Sequence, residues 1–148
     1  GLLTSTPLLP GLDGRKMSKS YGNAISISMT AEETAKLIKK AKTDSERNIT
    51  FDPENRPEVS ALLTTAGICS GRDPRELADE IGMGGGGQLK KVVTEAVNGR
   101  FAEIRERREK IVQDPDYIHD IIADGNRRAN AIAHETLCEV REAMGMVY

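Results

Sequence analysis

The sequence predicts a mainly α protein, an antiparallel helical bundle preceded by an irregular N-terminal arm. From 88 to 113, Leu89, Val92, Val93, Ala96, Val97, Phe101, Ile104, Ile111 and Val112 recur at three- and four-residue steps, the spacing of one long amphipathic helix. After Asp114-Pro115, Ile118, Ile121, Ile122, Ala129, Ile132, Ala133, Leu137, Val140 and Met144 continue the period as a second long helix, or as a pair kinked near Gly125. Two long helices joined at Asp114 are expected to pack antiparallel. Composition points the same way: 38% hydrophobic, 30% charged and 3% aromatic residues suit helices better than a β-sandwich, and 148 residues bury one modest core.

The elements follow in order. Leu2, Leu3, Leu8 and Leu9 around Pro7 and Pro10 make an apolar arm, extended or irregular, whose leucines are expected to be exposed. Ile25 and Ile27 alternate with Ser26 and Ser28 as in a short strand. Thr30 and Glu33 then form a capping box, starting a helix that buries Ala31, Ala35, Ile38 and Ala41, while the lysines at 36, 39, 40 and 42 complement its C-terminal dipole. Residues 43–57 read as a polar connection with a brief extended piece at 49–51. Pro57 opens a helix with Val59, Leu62, Leu63 and Ala66 on one face, ended by the glycines at 67 and 71. Asp73 before Pro74 caps a shorter helix reaching Ile81. Gly82-Met-Gly-Gly-Gly-Gly87 fits G-x-G-x-x-G, but it follows a helix, and no βαβ unit surrounds it. A flexible connection is expected there, not a dinucleotide site.

The chemistry concentrates at residues 15–20. Arg15, Lys16 and Lys19 place three cations within five residues, Ser18 and Ser20 add hydroxyl donors, and Gly11, Gly14 and Gly22 let the backbone bend toward a ligand. The matching partner is a polyphosphate. Lysine carries a compact charge on a flexible stem, suited to charge developing on a leaving group. The alternative from composition is a solvated basic turn. Elsewhere the charges are mixed, and a net charge of -2 excludes a broadly basic nucleic-acid binder, so RNA contact depends on local patches. Arg105 and Arg108 on the first long helix, and Arg127 and Arg128 on the second, are the candidates, against a solvated face laced with side-chain pairs.

Lys16-Met-Ser-Lys-Ser20, within Gly11-Leu-Asp-Gly-Arg-Lys-Met-Ser-Lys-Ser-Tyr-Gly-Asn23, resembles the second signature of the class I aminoacyl-tRNA synthetases. Ala41-Lys-Thr-Asp-Ser45, Arg56-Pro-Glu-Val-Ser-Ala-Leu-Leu63, Ile104-Arg-Glu-Arg-Arg108 and Val140-Arg-Glu-Ala-Met-Gly-Met146 resemble the C-terminal part of the bacterial tryptophanyl-tRNA synthetases. The tyrosyl enzymes share the loop and usually continue differently. The resemblance implies that Lys16 and Lys19 act on the pyrophosphate part of ATP, with Mg2+ as its usual counter-ion. Ser18 and Ser20 would add hydrogen bonds and Met17 would help close the loop. It further implies a division of roles: residues 1–29 as the loop and its connection to a nucleotide-binding domain, and 30–148 as a helical domain for the anticodon region of tRNA(Trp), in a protein acting as a homodimer.

The family's His-x-Gly-His signature is absent, since the histidines are His119 and His134, far downstream. The chain therefore reads as a C-terminal fragment, inactive alone, lacking the N-terminal nucleotide-binding domain with its tryptophan pocket. A standalone helical RNA-binding or adaptor module with a synthetase-like loop remains the rival. Cys69 and Cys138 have no metal-ligand spacing and read as reduced thiols, and neither histidine has a metal cluster around it. No apolar run is long enough to cross a membrane, which makes the cytoplasm the default location.

Overall fold

Residues 8–146 are described by the structure, a computed structural model, and among them five α-helices and no strand occur. They are α1 (Ala31–Lys39), α2 (Pro57–Ser70), α3 (Pro74–Ile81), α4 (Gly85–Val112) and α5 (Pro115–Ala143). The protein is mainly helical, as the apolar periodicity requires. Leu2, Leu3 and Pro7 lie outside the described residues. Leu8 is exposed, while Leu9 and Pro10 are half-buried.

Local chemistry sets each helix start. Thr30 Oγ1 accepts from Glu33 N–H at 3.1 Å and Glu33 Oε2 accepts from Thr30 N–H at 2.8 Å, so two donors with no intrahelical partner are satisfied by one reciprocal pair. Pro57 opens α2, and Gly71 ends it in a left-handed conformation. Asp73 caps α3 by accepting from Arg75 N–H at 2.7 Å, and Asp114 caps α5 by accepting from Tyr117 N–H at 3.1 Å.

The chain divides into two compact units, residues 1–105 and 106–148, with the boundary inside α4. The first unit holds the core: Ile38 and Ala41 at the end of α1, Ile49, the inner faces of α2 and α3, and Leu89, Val93 and Val97 of α4. Thr34, not Ala31 or Ala35, is the buried partner of Ile38 on α1. Only the first half of the α4 stripe is buried, because Ile104, Ile111 and Val112 are exposed. In the second unit α5 runs without interruption through Gly125 and buries none of its residues, leaving Ile121, Ile122 and Ile132 more than half exposed.

Two expected features are corrected. Residues 25–28 turn instead of extending: Met29 N–H donates to Ser26 O at 3.1 Å, Ser28 N–H donates to Ser26 Oγ at 3.3 Å, and the two serine hydroxyls share a 2.8 Å bond. Serine side chains that bond the nearby backbone compete with strand formation, and they prevail over the two-residue alternation here. Gly82–Gly87 is no flexible connection. It is a 3-10 turn at Gly82–Gly84 leading directly into α4, held from outside by Ile49 N–H donating to Gly82 O at 2.8 Å and Arg47 Nε donating to Met83 O at 3.1 Å.

One buried cation organises the connection between α1 and α2. Arg56 is 7% exposed, and its guanidinium forks onto the Asp44 carboxylate at 2.7 and 2.8 Å while donating to Asn48 O at 2.6 Å and Thr50 Oγ1 at 2.9 Å. A planar five-donor group suits this work, since it satisfies a carboxylate and two further oxygens from one position. Residues 43–57, polar by composition, are thereby a shaped loop.

Candidate functional site

The lysine loop belongs to the first unit and is built around Asn23. Asn23 is 4% exposed although Arg15, Lys16, Lys19 and Ser20 of the same loop are open to solvent. Nδ2 donates to Asp13 Oδ1 at 2.8 Å and to Lys16 O at 3.1 Å, and Oδ1 accepts from Ser18 N–H at 2.9 Å. Every hydrogen-bonding capacity of Nδ2 is used. Asp13 completes the assembly by accepting from Arg15 N–H at 3.0 Å and Arg15 Nε at 2.7 Å. The Asn23 amide, followed by Arg15, holds the Asp13 carboxyl down to about 2.

The backbone closes on itself at the same place. Leu12 N–H donates to Asn23 O at 2.9 Å and Gly11 N–H to Arg15 O at 2.8 Å, while Lys42 N–H donates to Leu12 O at 2.8 Å and ties the loop to the end of α1. Gly11 is required by space: a Cβ there would stand 2.3 Å from Asn23 Nδ2. Gly14 is required by conformation, with φ of +80°, and lies against Glu58 of α2. Glu58 in turn pairs with Lys42 Nζ at 2.6 Å, which holds its carboxyl below the ordinary value.

Over this frame Lys16 and Lys19 are exposed, and neither forms an ion pair among the described residues. Lys19 starts a 3-10 turn, Lys19–Tyr21, ended by Gly22 in the left-handed region. The Ser18 and Ser20 hydroxyls sit 2.8 Å apart and bond each other. Arg15 is committed to Asp13 and to the face of Tyr21, 5.2 Å from the ring centroid. Met17 roofs an apolar hollow lined by Leu9, Ile25, Cys69, Val97 and Phe101, and burial there pushes the Cys69 thiol up. Five predicted residues, Lys16 to Ser20, thus lie together, with two free ammonium groups and two hydroxyls on a braced backbone. Such a surface can bind an oligoanion and stabilise charge appearing on it.

The family model described as tRNA synthetases class I (W and Y) matches residues 2–102. The chain belongs to this class I synthetase family. A tryptophan–tRNA ligase of Aquifex aeolicus is 35% identical over 151 residues, covering 98% of this chain and 38% of the relative. That of a Nostoc species is 35% identical over 134 residues, covering 88% and 40%. Among solved structures, tryptophanyl-tRNA synthetase from Campylobacter jejuni, complexed with ADP and tryptophan, superposes with a TM-score of 0.77 at 30% identity, covering 93% of this chain and 43% of that one. The chain spans about two fifths of the length of these relatives.

In this class I synthetase chain the candidate RNA-contacting arginines differ in their surroundings. Arg105 is half-buried and directed inward, donating to Met29 O at 2.9 Å, Asn98 Oδ1 at 2.8 Å and Thr34 Oγ1 at 2.9 Å, so it fastens α4 to the start of α1. Three of its five N–H donors are engaged by protein. Arg127 and Arg128 stand exposed on α5 and converge on Asp124 at 2.9 and 3.1 Å, and Arg108 is exposed on α4. Sequence reasoning passed over Asn23, Asp13 and Arg56 as agents. The signal for the first two is an Asp and an Asn ten residues apart, each beside a glycine, bracketing the lysine run.

Among the described residues no group of three or more His, Cys, Asp or Glu is gathered as for a metal. His134 Nε2 instead lies 3.7 Å from Cys138 Sγ, one helical turn away, and both cysteines are free thiols. No described helix is long and apolar enough to cross a membrane.

Proposed function

We propose that this chain supplies the ATP-gripping loop and a tRNA-contacting helical portion of a tryptophan–tRNA ligase. The supporting observation is the loop itself: Lys16 and Lys19 are exposed, and unpaired among the described residues, on a backbone already fixed by Asn23, in a chain whose relatives are tryptophan–tRNA ligases. In the reaction, the tryptophan carboxylate attacks the α-phosphate of ATP, pyrophosphate leaves, and the acyl group passes from the adenylate to the terminal ribose of tRNA(Trp). Negative charge builds on the departing pyrophosphate. Lys16 and Lys19 neutralise it there, the Ser18 and Ser20 hydroxyls turn from each other to phosphate oxygens, and Met17 seats the closed loop. Mg2+ would accompany ATP as its counter-ion, since no described group of His, Cys, Asp or Glu is gathered to hold it.

Residues 1–29 serve the nucleotide step, together with an N-terminal nucleotide-binding domain supplied by the complete protein, which acts as a homodimer. Residues 30–148 serve tRNA, through Arg108, Arg127 and Arg128. Arg105 is assigned to structure instead, since its guanidinium bonds three protein oxygens.

The test is Lys19→Ala in the complete protein, read by tryptophan-dependent exchange of pyrophosphate into ATP. Loss of a charge-stabilising donor typically slows such a step by about 100- to 1,000-fold. That loss is expected with an unchanged melting temperature, because Lys19 is exposed and forms no ion pair among the described residues. An exchange rate equal to that of the parent protein overturns the reading.

A further inference from the structure

We propose that Asn23 is the positioning residue of this loop: its carboxamide, braced by Asp13, fixes the backbone from Lys16 to Ser18 so that the ammonium groups of Lys16 and Lys19 meet one polyphosphate together. The inference rests on the function proposed above and names a residue that touches no phosphate. Asn23 is a buried polar residue in a loop whose Arg15, Lys16, Lys19 and Ser20 are exposed. It bonds the carbonyl of the first lysine and the amide N–H two residues later, so one planar group sets the spacing of the backbone between the lysines. The third bond, to Asp13 Oδ1, fixes which way the carboxamide faces, because exchanging its oxygen and nitrogen would set two oxygens against each other.

Space confirms the fit. Position 11 is glycine where any Cβ would overlap the carboxamide, and the ring is shut by Leu12 N–H on Asn23 O. Two flexible lysines held on a fixed backbone approach a common anion with less reorganisation than two on a mobile one, and reacting groups displaced by about 1 Å lose on the order of 100-fold in rate.

The experiment compares Asn23→Ala, Asn23→Asp and Lys19→Ala in the complete protein by pyrophosphate exchange, with melting followed in parallel. Asn23→Ala is expected to lower kcat by on the order of 100-fold, as for a displaced catalytic group, while KM for tryptophan is unchanged. Asn23→Asp sets a second carboxylate against Asp13, where Arg15 is the adjoining cation and the Glu58–Lys42 pair lies nearest across Gly14. Two such carboxylates share a proton as pH falls. The shared proton rebuilds one clasp bond, so the rate of this variant relative to the parent rises toward acid pH, whereas that of Asn23→Ala does not.

Parental kcat in Asn23→Ala beside a slow Lys19→Ala overturns the positioning role alone, and so does a rate loss in Asn23→Asp that tracks lowered melting with no acid recovery. A parental rate in Lys19→Ala overturns the underlying functional reading instead.

Discussion

At residue scale, Asn23, Asp13 and Arg56 shape loops that touch the hydrophobic core only at single residues such as Leu12, Ile49 and Phe51. Their side chains act on backbone, which gives substitution a definite sign. Gly11→Ala drives a methyl into the Asn23 amide, 2.3 Å from Nδ2, so it is expected to open the clasp and slow pyrophosphate exchange as Asn23→Ala does. Melting of the core is expected to be untouched.

The Asp13 carboxyl adds a pH prediction. Its folded value is depressed from 3.8 to about 2, so the clasp is fully formed above the ordinary carboxylate range and is lost as pH falls through about 2. The side-chain amide resonances of Asn23, followed by NMR, are expected to hold constant from neutral pH down to about 4 and to move only at lower pH. Arg56→Met leaves Asn48 O and Thr50 Oγ1 without their donor and the solvent-reached Asp44 carboxylate unpaired, a loss of about 1–3 kcal/mol, to be read as a lower urea midpoint.

Among the elements, α1 and α4 are joined by chemistry that periodicity does not reveal. Arg105 reaches from α4 to Met29 O and Thr34 Oγ1, so Arg105→Ala is expected to lower stability by about 1–3 kcal/mol in urea unfolding, because buried acceptors lose their partner. Thr30→Ala, which removes half of the capping box, costs about 1 kcal/mol by the same measurement.

The elements also show where sequence is informative. Helix starts at residues 31, 57, 74 and 115 were readable because each is announced locally, by a Thr-x-x-Glu box or a proline after a capping or loop residue. Residues 25–28 were not, since an alternating pattern cannot register that Ser26 bonds its own chain two and three residues on. The glycines at 82–87 looked slack for a related reason: what fixes them, Ile49 and Arg47, lies more than thirty residues earlier. In the loop, the lysines and serines announced themselves by type and order, but Asn23 acts through bonds to positions 13, 16 and 18 that no local motif encodes.

For the whole molecule, the two units differ in how they are held. The first encloses a core drawn from four helices, whereas α5 of the second buries none of its residues. Local opening is easiest where few apolar groups are buried. Native-state hydrogen exchange of this chain is therefore expected to release α5 amides much earlier than those around Leu63 and Leu89, both fully buried. Equal protection of α2 and α5 would refute this difference.

The closure of residues 11–23 on themselves has one more consequence. Because the bonds from Gly11 to Arg15, from Leu12 to Asn23 and from Asn23 to residues 13, 16 and 18 all run within the segment, its shape is encoded where it is used. Leu12 O on Lys42 N–H is its polar tie to the helices. The segment is in that sense a cartridge, open to transplantation into another scaffold as a ready-made cationic grip.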